Sequence, residues 1–411
     1  MDGILNSGGG APPQGPLAGE IVDLSVGRYH RQSLIPWWDQ GRVAAAQVLV
    51  VGAGALGSEI LKLLALIGVG RTLVYDLDRI ETSNLSRSVL FRDGDEGAAK
   101  AEVAVTRMRE LNRDARAHGH SVNVVTRAGL GVFAWADVVI GAVDNREARV
   151  FINAACARVG KSWVDGAIES LAGVVRLFDP ARTACYECTM NATDRKLLAE
   201  RRSCALLARD VVARGHVPTT AVSASIIAAL QVQEALKLLH GQPTLLGEGL
   251  HIDGMWNEWS RVTYPRREDC LGHDALGPVE PLGLGVRDTT LGALIARAEE
   301  AIGDGATLEL SRDVVTALSC PACGTTSRAG RALGDLRERE AACPGCGAHR
   351  QVEIAGSVGR DDRFDLETTP FAIGVPPFDV IVARRGLDAR KAWLFDGDAA
   401  EILGPLAGGS R

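Results

Sequence analysis

The chain has 411 residues, 46% of them hydrophobic and 23% charged, with a net charge of −6. That length admits one large α/β domain with a sizeable core and a smaller domain beside it. The mild acidic balance and the lack of a dense Lys/Arg block argue against nucleic acid or an anionic membrane as partner.

Residues 1–27 read as a disordered leader, Gly/Pro-rich from Ser7 to Pro16. They lack a basic stretch followed by an apolar one, and no apolar run in the chain reaches membrane-spanning length. A cytoplasmic protein is therefore expected. From Gln47 to about Asp144 strand and helix alternate. Val48–Val51 is a β-branched run, Ser58–Ile67 is apolar at helical spacing, Arg71–Asp76 is a second strand, Ala98–Leu111 a second helix, and Asp137–Val143 a buried-type strand. Alternation of this kind predicts a doubly wound, mainly parallel sheet with helices on both faces. Cys156 falls in an apolar-periodic helix and reads as core. Thr219 and Thr220 are placed to cap a long helix running to Leu239, apolar nearly all round and so expected to be buried. Short strands end near Tyr264, and the composition shifts between residues 275 and 285. We therefore divide the chain at 28–278 and 279–411. The second part opens with a helix, Leu291–Ile302, and continues into a zinc-ribbon-like stretch.

Gly52-Ala-Gly54-Ala-Leu-Gly57 matches G-x-G-x-x-G directly after a strand and before a helix. Glycines let the backbone approach phosphates, and the helix amino terminus favours their charge. Asp76, 22 residues past Gly54, ends the second strand, where a carboxylate reaches a ribose hydroxyl. Alone, this motif is that of a nicotinamide dehydrogenase. The groups that follow change the reading: Asp78, Asn84 and Arg87 lie just beyond the second strand, then Lys100, and Asp144-Asn145 ends a later strand. Amide, guanidinium and ammonium donors suit a triphosphate, and an added carboxylate suits Mg²⁺. Hydride transfer has no use for such a clamp.

Six of the nine cysteines form pairs at two-residue spacing: Cys185/Cys188, Cys320/Cys323 and Cys343/Cys346. Without an export signal this spacing points to metal rather than disulfides. Cys270 and His273 can supply the other two ligands of a set with Cys185 and Cys188, and a closed set of four is structural zinc; the alternative for His273 is a plain surface histidine. Cys320-Pro-Ala-Cys323-Gly and Cys343-Pro-Gly-Cys346-Gly form a second zinc set, built as two knuckles with glycine at the turn. Cys204 lies in a polar stretch near Arg201, Arg202 and Arg209, cations that favour a nucleophilic thiolate.

The ordered set Arg28-Tyr-His-Arg31-Gln32, GAGALG, DLDxxxxxNLSR, GAAK and AVDN resembles the ThiF/MoeB/E1 adenylating family over roughly residues 28–275. The resemblance implies ATP-dependent adenylation of the carboxyl terminus of a ubiquitin-like or sulfur-carrier protein ending in glycine. It implies that Asp76 holds the ATP ribose, that Asn84, Arg87 and Lys100 contact the phosphates, that Asp144 positions Mg²⁺, and that Arg31 reaches into the site of a second subunit of a homodimer. It also implies a loop over about 189–218 that crosses near the active site and carries Cys204. In E1 enzymes such a cysteine forms a thioester that passes to an E2-like carrier, whereas MoeB-type members adenylate without one. Ser88 stands where the family often has Gln. Both activities stay open here, and a nucleotide-binding scaffold is a third reading, against which the intact Arg31, Lys100 and Asp144 argue.

Overall fold

A computed structural model describes residues 27–191, 193, 218–336, 338–360, 363–387 and 389–408. The leader segment Ser7–Pro16 and Cys204 with its neighbouring arginines lie outside the described residues.

An eight-stranded sheet, in the order β3-β2-β1-β4-β5-β6-β7-β8, organises the first part of the chain. Its strands are β1 Gln47–Val51, β2 Arg71–Tyr75, β3 Arg116–His120, β4 Val138–Gly141, β5 Trp163–Glu169, β6 Ala172–Phe178, β7 Glu248–Asp253 and β8 Glu258–Thr263. β3 through β5 pair in parallel, and β5 to β8 continue antiparallel. The side chains of β1 alternate between two cores. Val48 and Val50 enter one and Leu49 and Val51 the other, as the two-residue period of a strand buried on both faces requires. On the first face pack the helices α1 Ala55–Ile67, α2 Lys100–Leu111 and α4 Ala221–Leu239. Helix α3, Arg146–Arg158, covers the second face together with two short helices between residues 124 and 135, and Cys156 on it is wholly buried. The expected doubly wound fold is present.

Two expectations about α4 need correction. Its 19 residues are long and apolar enough to cross a membrane by length and composition. It packs nevertheless against α1 and the sheet, and Ala224, Ile227, Ala228 and Val232 enter the first core. Nor is it buried all round: Val222 is 61% and Ile226 38% exposed, with Ala229 and Gln233 exposed along the same row. Thr220 caps it, its hydroxyl oxygen accepting from the Ser223 amide at 3.1 Å.

The second sheet begins at β9, Val279–Pro281, and runs β11-β10-β13-β14-β9 with β12 also paired to β10. Its strands β10 Thr307–Ser319, β11 Thr326–Ala332, β12 Gln351–Val358, β13 Val380–Arg385 and β14 Ala389–Leu394 surround helix α5, Leu291–Ile302. This sheet docks directly on the first. Phe378, Val380, Val382 and Ala392 share a core with Leu49 and Val51. The Leu130 amide donates to Asp379 Oδ1 at 2.7 Å, and the Gly131 amide donates to the Phe378 carbonyl at 2.9 Å. A Cβ on Gly129 or Gly131 would press into that carbonyl, so glycine is what lets the two backbones meet.

Candidate active site

The carboxyl ends of the parallel neighbours β2, β1 and β4 lie side by side, the edge at which a sheet of this kind opens its ligand crevice. Gly52 sits there at φ +99°, and a Cβ on it would overlap the carbonyl oxygen of Ala142. A Cβ on Gly57 would overlap the carbonyl of Gly52, whereas one on Gly54 would meet nothing within 4 Å. The first and last glycines thus close the turn, and the middle one leaves its backbone open toward the crevice at the amino terminus of α1. Asp76 stands beside this turn. Its Oδ2 accepts from the Ala53 amide at 2.6 Å, and its Oδ1 from the Asp78 amide at 2.7 Å. Burial pushes the Asp76 carboxyl above its ordinary range, offset in part by those two amides and by Lys100. Asp78 Oδ2 lies 3.0 Å from Nζ of Lys100, which is only 8% exposed. Asp76, Asp78 and Lys100 are therefore one connected group next to the glycine turn.

Asn84 is buried and uses its carbonyl oxygen locally, accepting from the Glu81 amide at 3.1 Å. Arg87 donates to the Ser83 carbonyl at 2.7 Å. These two residues order the segment after Asp78 through their own backbone contacts. Asp144 is exposed immediately past β4, with Asn145 donating to its Oδ1 at 3.3 Å. Asn145 also caps α3, accepting from the Ala148 amide at 2.8 Å. An exposed carboxylate at a strand tip is the hard oxygen donor that Mg²⁺ takes.

Arg31 is placed elsewhere. It is exposed on a short helix, His30–Ser33, whose preceding residue Tyr29 contacts Gly68 at the carboxyl end of α1 and Asn112 at the carboxyl end of α2. Since α1 has 13 residues, that end is separated from the glycine turn by about 20 Å of helix. Arg31 therefore does not join the crevice of its own chain.

The two metal sets are each drawn together. In the first, Cys185 Sγ lies 3.8 Å from Cys188 Sγ and 3.6 Å from Cys270 Sγ, and Cys188 Sγ lies 3.1 Å from His273 Nε2. His273 turns Nδ1 toward the Pro180 carbonyl at 2.8 Å, which leaves Nε2 facing the thiols. In the second, Cys320 and Cys346 are 3.5 Å apart and Cys323 and Cys343 3.6 Å. All ligand atoms of each set lie within 4.8 Å of one another. A tetrahedral ion bonded to sulfur at ~2.3 Å spaces its ligands by roughly 3.8 Å, so both sets fit zinc. Gly324 and Gly347, at φ +73° and +74°, donate back to the Cys320 and Cys343 carbonyls and form the knuckle turns. Cys188 of the first set and Cys323 and Cys343 of the second are held toward thiolate, the ligating form, Cys343 by the Gly345 and Cys346 backbone. Burial opposes ionisation of Cys188, but the Arg267 and Cys185 backbone contacts and His273 bring its pKa to about 7. The Thr325 hydroxyl and amide bring Cys323 to about 6.

A pair of arginines on one buried carboxylate is not anticipated from the sequence. Asp165, fully buried on β5, lies between Arg149 of α3 and Arg176 of β6. The run Asp144-Asn145-Arg-Glu-Ala-Arg149 was the available signal, because Arg149 follows the cap of α3 by one helical turn.

Residues 29–272 match the ThiF family. The chain is 33% identical over 258 residues to a sulfur carrier protein adenylyltransferase of Thermus thermophilus, an alignment covering 59% of this chain and 89% of that protein. It is 31% identical over 213 residues to ubiquitin-like modifier-activating enzyme 5 of Oryza sativa, covering 48% of this chain and 49% of the relative. The chain thus spans about half the length of that relative. A crystal structure of E. coli MccB with ATP superposes with a TM-score of 0.50 at 23% identity, over 60% of this chain and 74% of that one, and that likeness is one of fold. With the match extending over more than half of its residues, the chain belongs to the ThiF family.

Proposed function

We propose that the protein uses ATP to adenylate the carboxyl terminus of a small ubiquitin-like or sulfur-carrier protein, then carries it as a thioester on Cys204 to an E2-like carrier. Support for the reading comes from the Asp76–Asp78–Lys100 group beside the open backbone of Gly54, with Asp144 exposed past the end of the adjacent strand β4. Asp76 takes the ribose and Lys100, Arg87 and Asn84 the phosphates. Asp144, with Asp78 nearby, holds Mg²⁺, which offsets phosphate charge when bound. The terminal carboxylate of the partner protein attacks the α-phosphorus, and pyrophosphate leaves with the electron pair of the broken P–O bond. Catalysis is positioning and charge stabilisation. The Cys204 thiolate then attacks the acyl carbon, and AMP leaves with the electrons of the C–O bond.

A homodimer completes this site. The exposed row Val222, Ile226 and Ala229 on α4 and exposed Leu34, Ile35 and Trp37 beside Arg31 supply apolar surface for a second copy. Zinc at the two thiol-rich sets folds the loops that bear them.

A second reading, activation of a sulfur carrier with no obligatory thioester, is favoured by the Thermus thermophilus relative, 89% of which is covered. The two part on one experiment. The full chain is incubated with ATP, Mg²⁺ and a glycine-terminated ubiquitin-like protein from the same genome, then run on a non-reducing gel. A thiol-sensitive adduct that disappears in Cys204→Ala supports the thioester. Pyrophosphate release with no adduct leaves sulfur-carrier activation.

A further inference from the structure

The last three carbonyls before Asp144 are each held from a different direction. Gly141 O accepts from Gln231 Nε2 of α4 at 2.8 Å. Ala142 O lies against Gly52, where no Cβ would fit. Val143 O accepts from Arg149 Nη2 of α3 at 2.6 Å. Neither polar side chain is a surface group: Gln231 is fully buried and Arg149 is 8% exposed.

Arg149 is itself rigidly seated. Its Nε donates to Asp165 Oδ1 at 2.9 Å, and its Nη2 donates also to the Gly166 carbonyl at 3.0 Å. The other oxygen of Asp165 is taken by Arg176, whose guanidinium carbon lies 5.2 Å from the ring centre of Tyr186, between Cys185 and Cys188. Burial alone would raise the Asp165 carboxyl, but Arg176 and Arg149 outweigh it and hold the group ionised. A buried ion pair is a poor stabiliser compared with apolar packing. What this one supplies is direction, because a planar guanidinium fixed on one side by a carboxylate presents its remaining N–H groups at a set angle.

We propose that Arg149, seconded by Gln231, is a positioning residue for Asp144. By fixing the Val143 and Gly141 carbonyls it sets the angle at which the Asp144 carboxylate leaves β4, and hence the grip on Mg²⁺-ATP. The inference rests on the nucleotide reading of the crevice.

The test is calorimetric titration of the full chain with ATP, in buffers with and without Mg²⁺. Asp144→Asn is expected to abolish the gain in ATP affinity that Mg²⁺ brings. Arg149→Lys keeps the charge beside Asp165 but cannot reach all three acceptors. It is expected to weaken the Mg²⁺ response about ten- to hundredfold, the usual cost of losing an outer support of a metal ligand, with Mg²⁺-free ATP affinity unchanged. The double variant should lose no more than Asp144→Asn alone, since both act through one carboxylate. Additive losses, an intact Mg²⁺ response in Arg149→Lys, or an equal loss with and without Mg²⁺ would each overturn the inference. Should Arg149→Lys fail to fold, as judged by its melting curve, Gln231→Met applies the same comparison to the Gly141 carbonyl. Failure of the unaltered chain to bind ATP at all would overturn the nucleotide reading and this inference with it. ATP binding with any of the three contrary patterns overturns this inference alone.

Discussion

Asn112 Nδ2 donates to the Tyr29 hydroxyl at 2.7 Å, and this bond pins the segment bearing Arg31 at the end of α1 and α2 remote from the glycine turn. An arginine held there has no crevice of its own to enter, and a crevice of a second copy is the alternative. Two damaged chains should therefore repair each other. Arg31→Ala and Asp144→Ala are each expected to be inactive alone. An equal mixture, after subunit exchange, should recover about a quarter of the unaltered activity, because only one of four possible subunit pairings of finger and site is intact. A mixture as inactive as its components would refute the shared site.

Lys100 is the one buried cation at the crevice among the described residues proposed to meet phosphate, and it is already oriented by Asp78. Lys100→Met removes a charge-assisted hydrogen bond and should weaken ATP about ten- to hundredfold. AMP lacks the outer phosphates and should lose much less. Competition titrations with ATP and AMP check this, and equal losses for both would relocate Lys100 away from the β- and γ-phosphates.

The metal sets predict two zinc ions per chain, one from each group of four ligands. Cys185→Ser or His273→Ala should lower the content to one and leave the second sheet folded. Cys343→Ser should also leave one ion, while loosening the segment around β11 and β12. Elemental analysis gives the count and limited proteolysis gives the location. Because zinc binding supplies folding free energy, each variant should also melt at lower temperature.

His118 and His120 of β3 carry a pH dependence. Burial holds both rings below 6.5, and the carboxyl-terminal segment covers them, with His120 Nε2 donating to the Ile402 carbonyl at 2.7 Å and Gly404 lying against His118. His120, and after it Arg109, disfavour a positive charge on His118 further. The unfolded chain takes up protons first, so the stability these rings confer is present above 6.5 and lost as pH falls through their depressed folded values. The melting temperature should fall between about pH 7.5 and about pH 5.5. His118→Gln/His120→Gln should flatten that slope, since glutamine can donate to the Ile402 carbonyl without titrating. An unchanged slope in the double variant would assign the dependence elsewhere.

The parts of this molecule that could be read in the sequence are those dictated by local sterics or spacing. The glycine turn is one, because Gly52 must adopt a positive φ beside Ala142. The paired cysteines are another. The capped helix at Thr220 and the alternating strands of β1 follow from period and capping chemistry. What could not be read depends on distant partners. β3, Arg-Ala-His-Gly-His, has no apolar period, and Arg116 on it is tied to the Pro405 and Gly408 carbonyls nearly 300 positions away. The docking of Phe378 and Asp379 on Gly129–Gly131 gives no local signal either. The outward row of α4 was hidden because Val222 and Ile226 look like core residues when no surface is known. Arg149, Asp165 and Arg176 come from three elements, and only the fold makes them one network.

Cleavage of ATP at the α-phosphorus, in the crevice between Gly54 and Asp144, is the step on which every later one depends. Exchange of labelled pyrophosphate into ATP, measured with a glycine-terminated ubiquitin-like protein from the same genome, reports that step and no later one. Exchange should require both the small protein and Mg²⁺, fall to background in Asp144→Ala, and persist in Cys204→Ala. Exchange absent from the unaltered chain with every such protein, or undiminished in Asp144→Ala, would contradict cleavage in this crevice.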